Sequence, residues 1–203
     1  MRVILDDQPC NSAATSVAQA VADAAASVET RGRVIVEVLV DGTALTEEDL
    51  GSEELQSRDA DEVAMVSADL KELVDGTLTH ASEALVEADH LQRHAAERLQ
   101  SDDRVAAMTS LNDALSIWLA VHEAVMKSAA ALDIDVDRLP VRGQSMEKRI
   151  EHLNEHLQAI QSALRGDDPV ALSDTLLYEL PEVVNQWREV LDVMRSTLED
   201  QVR

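Results

Sequence analysis

Phenylalanine is absent from the 203-residue chain, tyrosine occurs once, at Tyr178, and tryptophan only twice. Any core has to be assembled from aliphatic side chains. Cysteine is nearly missing too. Cys10 stands alone, which excludes an intramolecular disulfide, Cys-x-x-Cys redox chemistry and a zinc knuckle, and points to a reducing compartment. Basic residues are scarce, 17 against 40 acidic, for a formal net charge of -23. Such a balance repels phosphate backbones and anionic headgroups, so nucleic acid and membrane surfaces are not expected partners. A solubility role, a salty cytoplasm or a basic partner each account for the excess, and the preference for Arg over Lys hints at a GC-rich bacterial genome. There is no apolar run long enough to span a bilayer, and Asp6 and Asp7 stand where a signal peptide needs apolar residues, so the expected location is the cytoplasm. Catalytic signatures are lacking as well: no phosphate-binding Gly loop, no Gly-x-Ser-x-Gly and no His-Glu-x-x-His.

What the chain does have is heptad-spaced apolar residues, in four stretches from about residue 70 to the C-terminus. The third carries Met146, Ile150, Leu153, Leu157, Ile160 and Leu164, and the second Met108, Leu111, Leu115, Trp118, His122, Val125, Ala129 and Leu132. Steps of three and four place each set along one helix face. The first stretch runs from Asp69 to about Gln100, with Val74, Leu78, Ala81, Leu85, Ala88, Ala95 and Leu99 as its seam. Ser101-Asp102-Asp103 separates it from the second, Ser145 opens the third, and Pro169 sits in the first turn of the fourth. Short connections make neighbours antiparallel, so residues 69–203 are expected to form a four-helix bundle.

Residues 1–68 follow another period. Val3 to Leu5 reads as a strand ended by the turn Asp6-Asp7-Gln8-Pro9, and Asn11 or Ser12 is placed to cap a helix carrying Val17, Ala20, Val21, Ala24, Ala25 and Val28 on one stripe. Gly32 stops that helix. Val34, Val36, Val38 and Val40 alternate on one face of a strand, Asp41-Gly42 turns it into Thr43 to Leu45, and an acidic connector around Glu47, Glu48, Glu53 and Glu54 leads to a last strand, Val63 to Val66. In this order the segment resembles a β-grasp, or ubiquitin-like, module. The sulfur-carrier branch of that fold needs a free C-terminal Gly-Gly, and here Ser67, Ala68 and Asp69 continue into a helix, so the resemblance implies a recognition platform or cap rather than carrier chemistry. The predicted fold class is α+β: a β-grasp-like domain, 1–68, followed by an antiparallel four-helix bundle, 69–203.

Histidines and carboxylates on bundle helices raise the question of metal. A di-metal bundle site wants Glu-x-x-His on two helices, and only Glu87-Ala88-Asp89-His90 has that form. His90 with His94, and His152 with His156, are spaced i, i+4, but the pairs lie beside their seams and about 13 residues out of step, on the order of 20 Å along the axis. They read as solvated surface histidines, and His122 as a core imidazole. Asp133, Asp135 and Asp137 mimic a calcium loop, but Arg138 and Gln144 stand where it requires Gly and Glu. No metal and no cofactor is therefore expected.

The most distinctive local feature is Leu176 to Trp187. Pro181 lacks an N–H, which leaves the carbonyl of Leu177 without its helical donor and predicts a kink. Leu176, Tyr178, Leu180, Pro181 and Trp187 form the candidate partner-binding residues around it, with Leu177 turned inward and Tyr178 toward the flank. This stretch is similar to those of uncharacterised two-part bacterial proteins, some near flagellar genes. The expected function is a non-enzymatic bacterial cytoplasmic interaction factor, an adaptor or chaperone-like protein comparable in class with secretion and flagellar export chaperones, binding another protein through a helix groove or pairing as a homodimer. The alternative is a metal-binding or enzymatic bundle using its histidines.

Overall fold

The computed structural model of the protein describes residues 1–46, 49, 52, 55, 59–139, 141 and 144–200, and divides into two compact units, Met1–Leu73 and Val74–Arg203. The connector carboxylates Glu47, Glu48, Glu53 and Glu54 and the loop residue Pro140 lie outside the described residues.

In the first unit the strands are β1 (Arg2–Leu5), β2 (Gln8–Cys10), β3 (Arg33–Val40), β4 (Thr43–Ala44) and β5 (Glu62–Asp69), with one helix, α1 (Val17–Glu29), between β2 and β3. The sheet order is β2-β1-β5-β3-β4, with β1 and β5 parallel in the middle and the other pairs antiparallel. The expected α+β unit, a mixed sheet with one helix, is present, with five strands. Val17, Ala20, Ala24 and Val28 of α1 form the core with Val3, Leu5, Val38, Val40, Val63 and Met65. The small alanines let the helix lie close to the sheet, so a 73-residue unit without phenylalanine still closes a core.

Three local readings change. The residues read as one turn, Asp6 to Pro9, hold only a two-residue loop: Asp6 and Asp7 take φ of 49° and 61°, the left-handed pair of a tight hairpin, and Gln8–Cys10 folds back along β1 as β2. Pro9 is tolerated because β2 is an edge strand. The helix cap is Ser16, whose side chain accepts from the Gln19 N–H, rather than Asn11 or Ser12. Finally, Val34 and Val36 do not share a face with Val38 and Val40. A bulge between Ile35 and Glu37 shifts the register against β5, so Ile35 packs on the core while Val36 is 47% exposed. Asp41 and Gly42 both have positive φ, and the Asp41 carboxylate accepts from the N–H groups of Asp61 and Glu62, tying the start of β5 to this hairpin.

A polar knot joins β1, β3 and β5. Asp6 accepts from the Ser67 N–H and hydroxyl, both at 2.7 Å, while Arg33 donates to the Ser67 hydroxyl at 2.8 Å and carbonyl at 2.6 Å. The two bonds from Ser67 hold the Asp6 carboxyl below the usual aspartate range, with Arg33 adding a smaller pull and burial opposing. A lowered native pKa contributes stability that is complete above the unfolded value and lost as pH falls through the native one. The stability gap between the protein and Asp6→Asn should therefore hold constant at neutral pH and begin to shrink only below pH of about 4. Urea titrations at stepped pH read it; a gap already closing between pH 7 and 5 would remove Asp6 as its source.

The second unit is a bundle of four helical segments: α2 (Leu70–Gln100), α3 (Arg104–Ala131), α4 (Met146–Arg165), and a last segment made of α5 (Pro169–Asp174), a π turn (Thr175–Glu179) and α6 (Leu180–Asp200). The punctuation is aspartate and serine. Asp69 accepts from the Lys71 and Glu72 N–H groups, Asp103 caps α3, Ser145 caps α4 and Asp168 caps α5 with Pro169 in its first turn. Neighbours are antiparallel, as Arg195 near the end of α6 pairs with Asp75 near the start of α2 at 2.7 Å. Trp118 and Trp187 meet edge to face in the core, centroids 5.9 Å apart.

Candidate functional site

The apolar rows of α3 and α4 are wider than the bundle interior uses. On α4 the seam splits. Met146, Leu153 and Ile160 are buried, whereas Ile150 and Leu157 are half-buried and Leu164 is 43% exposed. The seam of α3 divides the same way: Leu111, Trp118, Val125 and Ala129 go into the core, while Leu115 and His122 are half-buried and Leu119, one step off the seam, is 62% exposed. The two half-covered rows face one another across an open groove of about 610 Å³, lined by Leu115, Trp118, Leu119 and His122 on one wall and Ile150, Leu157 and Leu164 on the other. Asn154 and Gln161 supply its polar edge.

Size and electrostatics narrow what fits. The α4 wall from Ile150 to Leu164 is about 21 Å long at the helical rise, the length of four turns of a second helix. Its helical rows, extended by one turn toward the start of α4 and the end of α3, reach Glu147 and Glu123, both exposed. Glu123 is paired there with Lys127 at 4.0 Å. The opposite end runs into a smaller pocket beneath Arg104 and Asp167, which are paired at 2.6 Å, with Leu164 shared between the two.

The five residues singled out in the sequence fall differently. Leu176, Leu180 and Trp187 are within the bundle core, Pro181 is half-buried, and Tyr178 is 74% exposed. Pro181 acts through the π turn that precedes it: the Leu180 N–H reaches back five residues to the Thr175 carbonyl, widening the backbone just before the position where an amide hydrogen is missing. The apolar surface gathered around the proline is thus mostly packing, while the open surface lies on α3 and α4. Heptad spacing carried that signal only in part, since it marks a row as apolar without saying what covers it.

The histidines separate into unlike environments. His90 is exposed beside Glu87 at 4.0 Å, and His94 contacts the Ser110 hydroxyl at 3.0 Å and accepts from Arg98 at 3.2 Å. His152 and His156 are not solvated surface groups: both are half-buried, their Nε2 atoms 3.1 Å apart, with Glu179 and Gln186 on their Nδ1 atoms. The two i, i+4 pairs engage different neighbours. His122 lies 5.9 Å from the Trp187 ring, between core and groove. Among the described residues no group of three or more His, Cys, Asp or Glu side chains is arranged to hold a metal ion, and no helix is long and apolar enough to cross a membrane.

Comparison with known proteins finds one family. Residues 76–190, which span the groove, the histidine pair and the π turn, match the model described as Domain of unknown function (DUF8042). No curated protein and no solved structure matches the chain.

Proposed function

The chain belongs to that DUF8042 family, whose description assigns no activity, and from its geometry we propose that the protein is a non-catalytic binding module whose bundle holds an amphipathic helix of a partner protein, basic on its polar side, in the α3–α4 groove. The observation that carries this reading is the matched pair of half-covered apolar rows. Each of two facing helices spends one row on the bundle core and keeps a second only half-covered, about four turns long on α4 and about two on α3. Burying such rows is worth roughly 25 cal/mol per Å² of apolar surface, a gain that the bundle's own fold leaves unused. Helix-in-groove recognition uses surfaces of this shape. A chain net charge of -23 favours a basic partner and speeds its approach. An adaptor or chaperone-like role in a bacterial cytoplasm is the setting this reading fits, with the analogy to export chaperones resting on architecture alone.

The experiment is a titration with a synthetic helical peptide, leucine on one face and lysine on the other, followed by tryptophan emission, since Trp118 lines the groove. Saturable binding of one peptide per chain is expected, and Leu119→Asp should weaken it at least about tenfold, roughly 1.4 kcal/mol. The sign of that change is decisive. Non-specific attraction would grow stronger when a negative charge is added, whereas groove binding weakens because an apolar contact is replaced by a carboxylate. Tighter binding by Leu119→Asp overturns the proposal, as does sedimentation showing that the groove is occupied by a second copy of the chain.

A further inference from the structure

His152 and His156 stand one turn apart on α4, on the flank turned toward α6, and their rings meet edge to face with centroids 4.6 Å apart. The Nδ1 atom of each is already committed. His156 Nδ1 lies 3.0 Å from Oε2 of Glu179 in the π turn, and His152 Nδ1 lies 3.3 Å from Oε1 of Gln186 on α6. Both oxygens act as acceptors, and the orientation of the Gln186 amide is fixed because its Nε2 donates to Glu182 at 3.3 Å. Each Nδ1 therefore carries a hydrogen. In the neutral rings this leaves both Nε2 atoms as bare lone pairs, 3.1 Å apart. Lone pairs at that distance repel unless a proton or a metal ion is shared between them.

We propose that His152 and His156 form a two-imidazole chelate for a divalent transition-metal ion of the zinc, nickel or copper class, with Glu179 and Gln186 as the groups that orient the rings. The spacing suits the ion. At a metal–nitrogen distance of about 2.0–2.1 Å, nitrogens 3.1 Å apart subtend about 98°, between the square-planar and tetrahedral angles, so the rings need hardly move. A metal-bound histidine characteristically donates its other N–H to a carboxylate or carbonyl oxygen, and both rings already do so. Glu179 and Glu182 supply two carboxylates close outside the pair to balance the added charge. With two protein ligands, the remaining coordination positions are open to water or to a donor from outside, so binding is weaker than in a closed structural site.

Tag-free full-length protein, stripped with chelator, would be titrated with zinc and with nickel by calorimetry. One ion per chain is expected. His152→Ala and His156→Ala should each weaken binding at least about tenfold, and Glu179→Ala by about ten- to hundredfold through loss of ring orientation. His90→Ala, at an exposed ring, should leave affinity unchanged. Circular dichroism on the same samples reports the fold, and His152→Gln replaces any alanine variant that loses it. Failure of the unaltered protein to bind either metal, or binding that survives both substitutions at His152 and His156, overturns the assignment.

Discussion

Trp187→Ala should lower the stability of the bundle by about 3 to 5 kcal/mol, the largest single-residue effect expected in this protein. Trp187 is fully buried, packs edge to face on Trp118 and lies against His122. Its removal opens a cavity between α3 and α6. Apart from Trp118 and His122, which already pack on it, the surrounding core is aliphatic and cannot replace the lost ring. The indole N–H of Trp187 has no hydrogen-bond partner among the described residues, so the loss is packing rather than bonding. Trp187→Phe should for that reason recover most of the difference. Tyr178→Ala, only nine positions earlier but exposed, should change stability by no more than about 0.5 kcal/mol. Urea unfolding followed at the helical band measures all three. A Trp187→Ala loss below about 1 kcal/mol would mean that the helices collapse onto the space, and that the tryptophan pair does not anchor α3 to α6.

Met65→Ala is the counterpart in the first unit, with an expected cost of about 2 to 4 kcal/mol. Met65 sits in the central strand β5, paired with Leu5 on one side and Val38 on the other, and is 1% exposed. Every strand neighbour is thus a core residue that loses contact when the side chain is cut back. Because the chain divides at Leu73, the cost should fall on the sheet unit alone. Hydrogen exchange should show faster opening of β1, β3 and β5 while α2 to α6 keep their protection. Equal acceleration throughout α2 to α6 would make the two units one cooperative body.

The helices were legible because heptad spacing, aspartate and serine caps and Pro169 all report the same boundaries. In the first unit the order of strands and helix along the chain followed from the pattern of periods, but β2 did not. Its three residues include Pro9 and have no alternation, and only the left-handed backbone of Asp6 and Asp7 turns them into a strand. Val36 was misplaced for a similar reason: a bulge inverts parity, and nothing in a run of alternating valines marks where the extra residue falls. The candidate site was less legible still. Ile150, Leu157 and Leu164 belong to a seam that looks like ordinary core, and only the packing of α3 and α4 leaves that row open. The histidine spacing was visible, while the acceptors that fix the rings, Glu179 and Gln186, lie 23 and 34 residues away on another segment.

The central claim is that the open apolar rows of α3 and α4 receive a basic amphipathic helix. Methyl-resolved NMR during the peptide titration tests it most directly, because each wall carries its own reporters and the core carries controls. The account predicts saturable shifts at Leu115, Leu119, Ile150, Leu157 and Leu164, with Leu78, Leu85 and Leu176, buried in the bundle, nearly unmoved. Shifts gathered instead around Leu177 and the exposed Tyr178 face, or spread over the surface without a groove pattern, would contradict it.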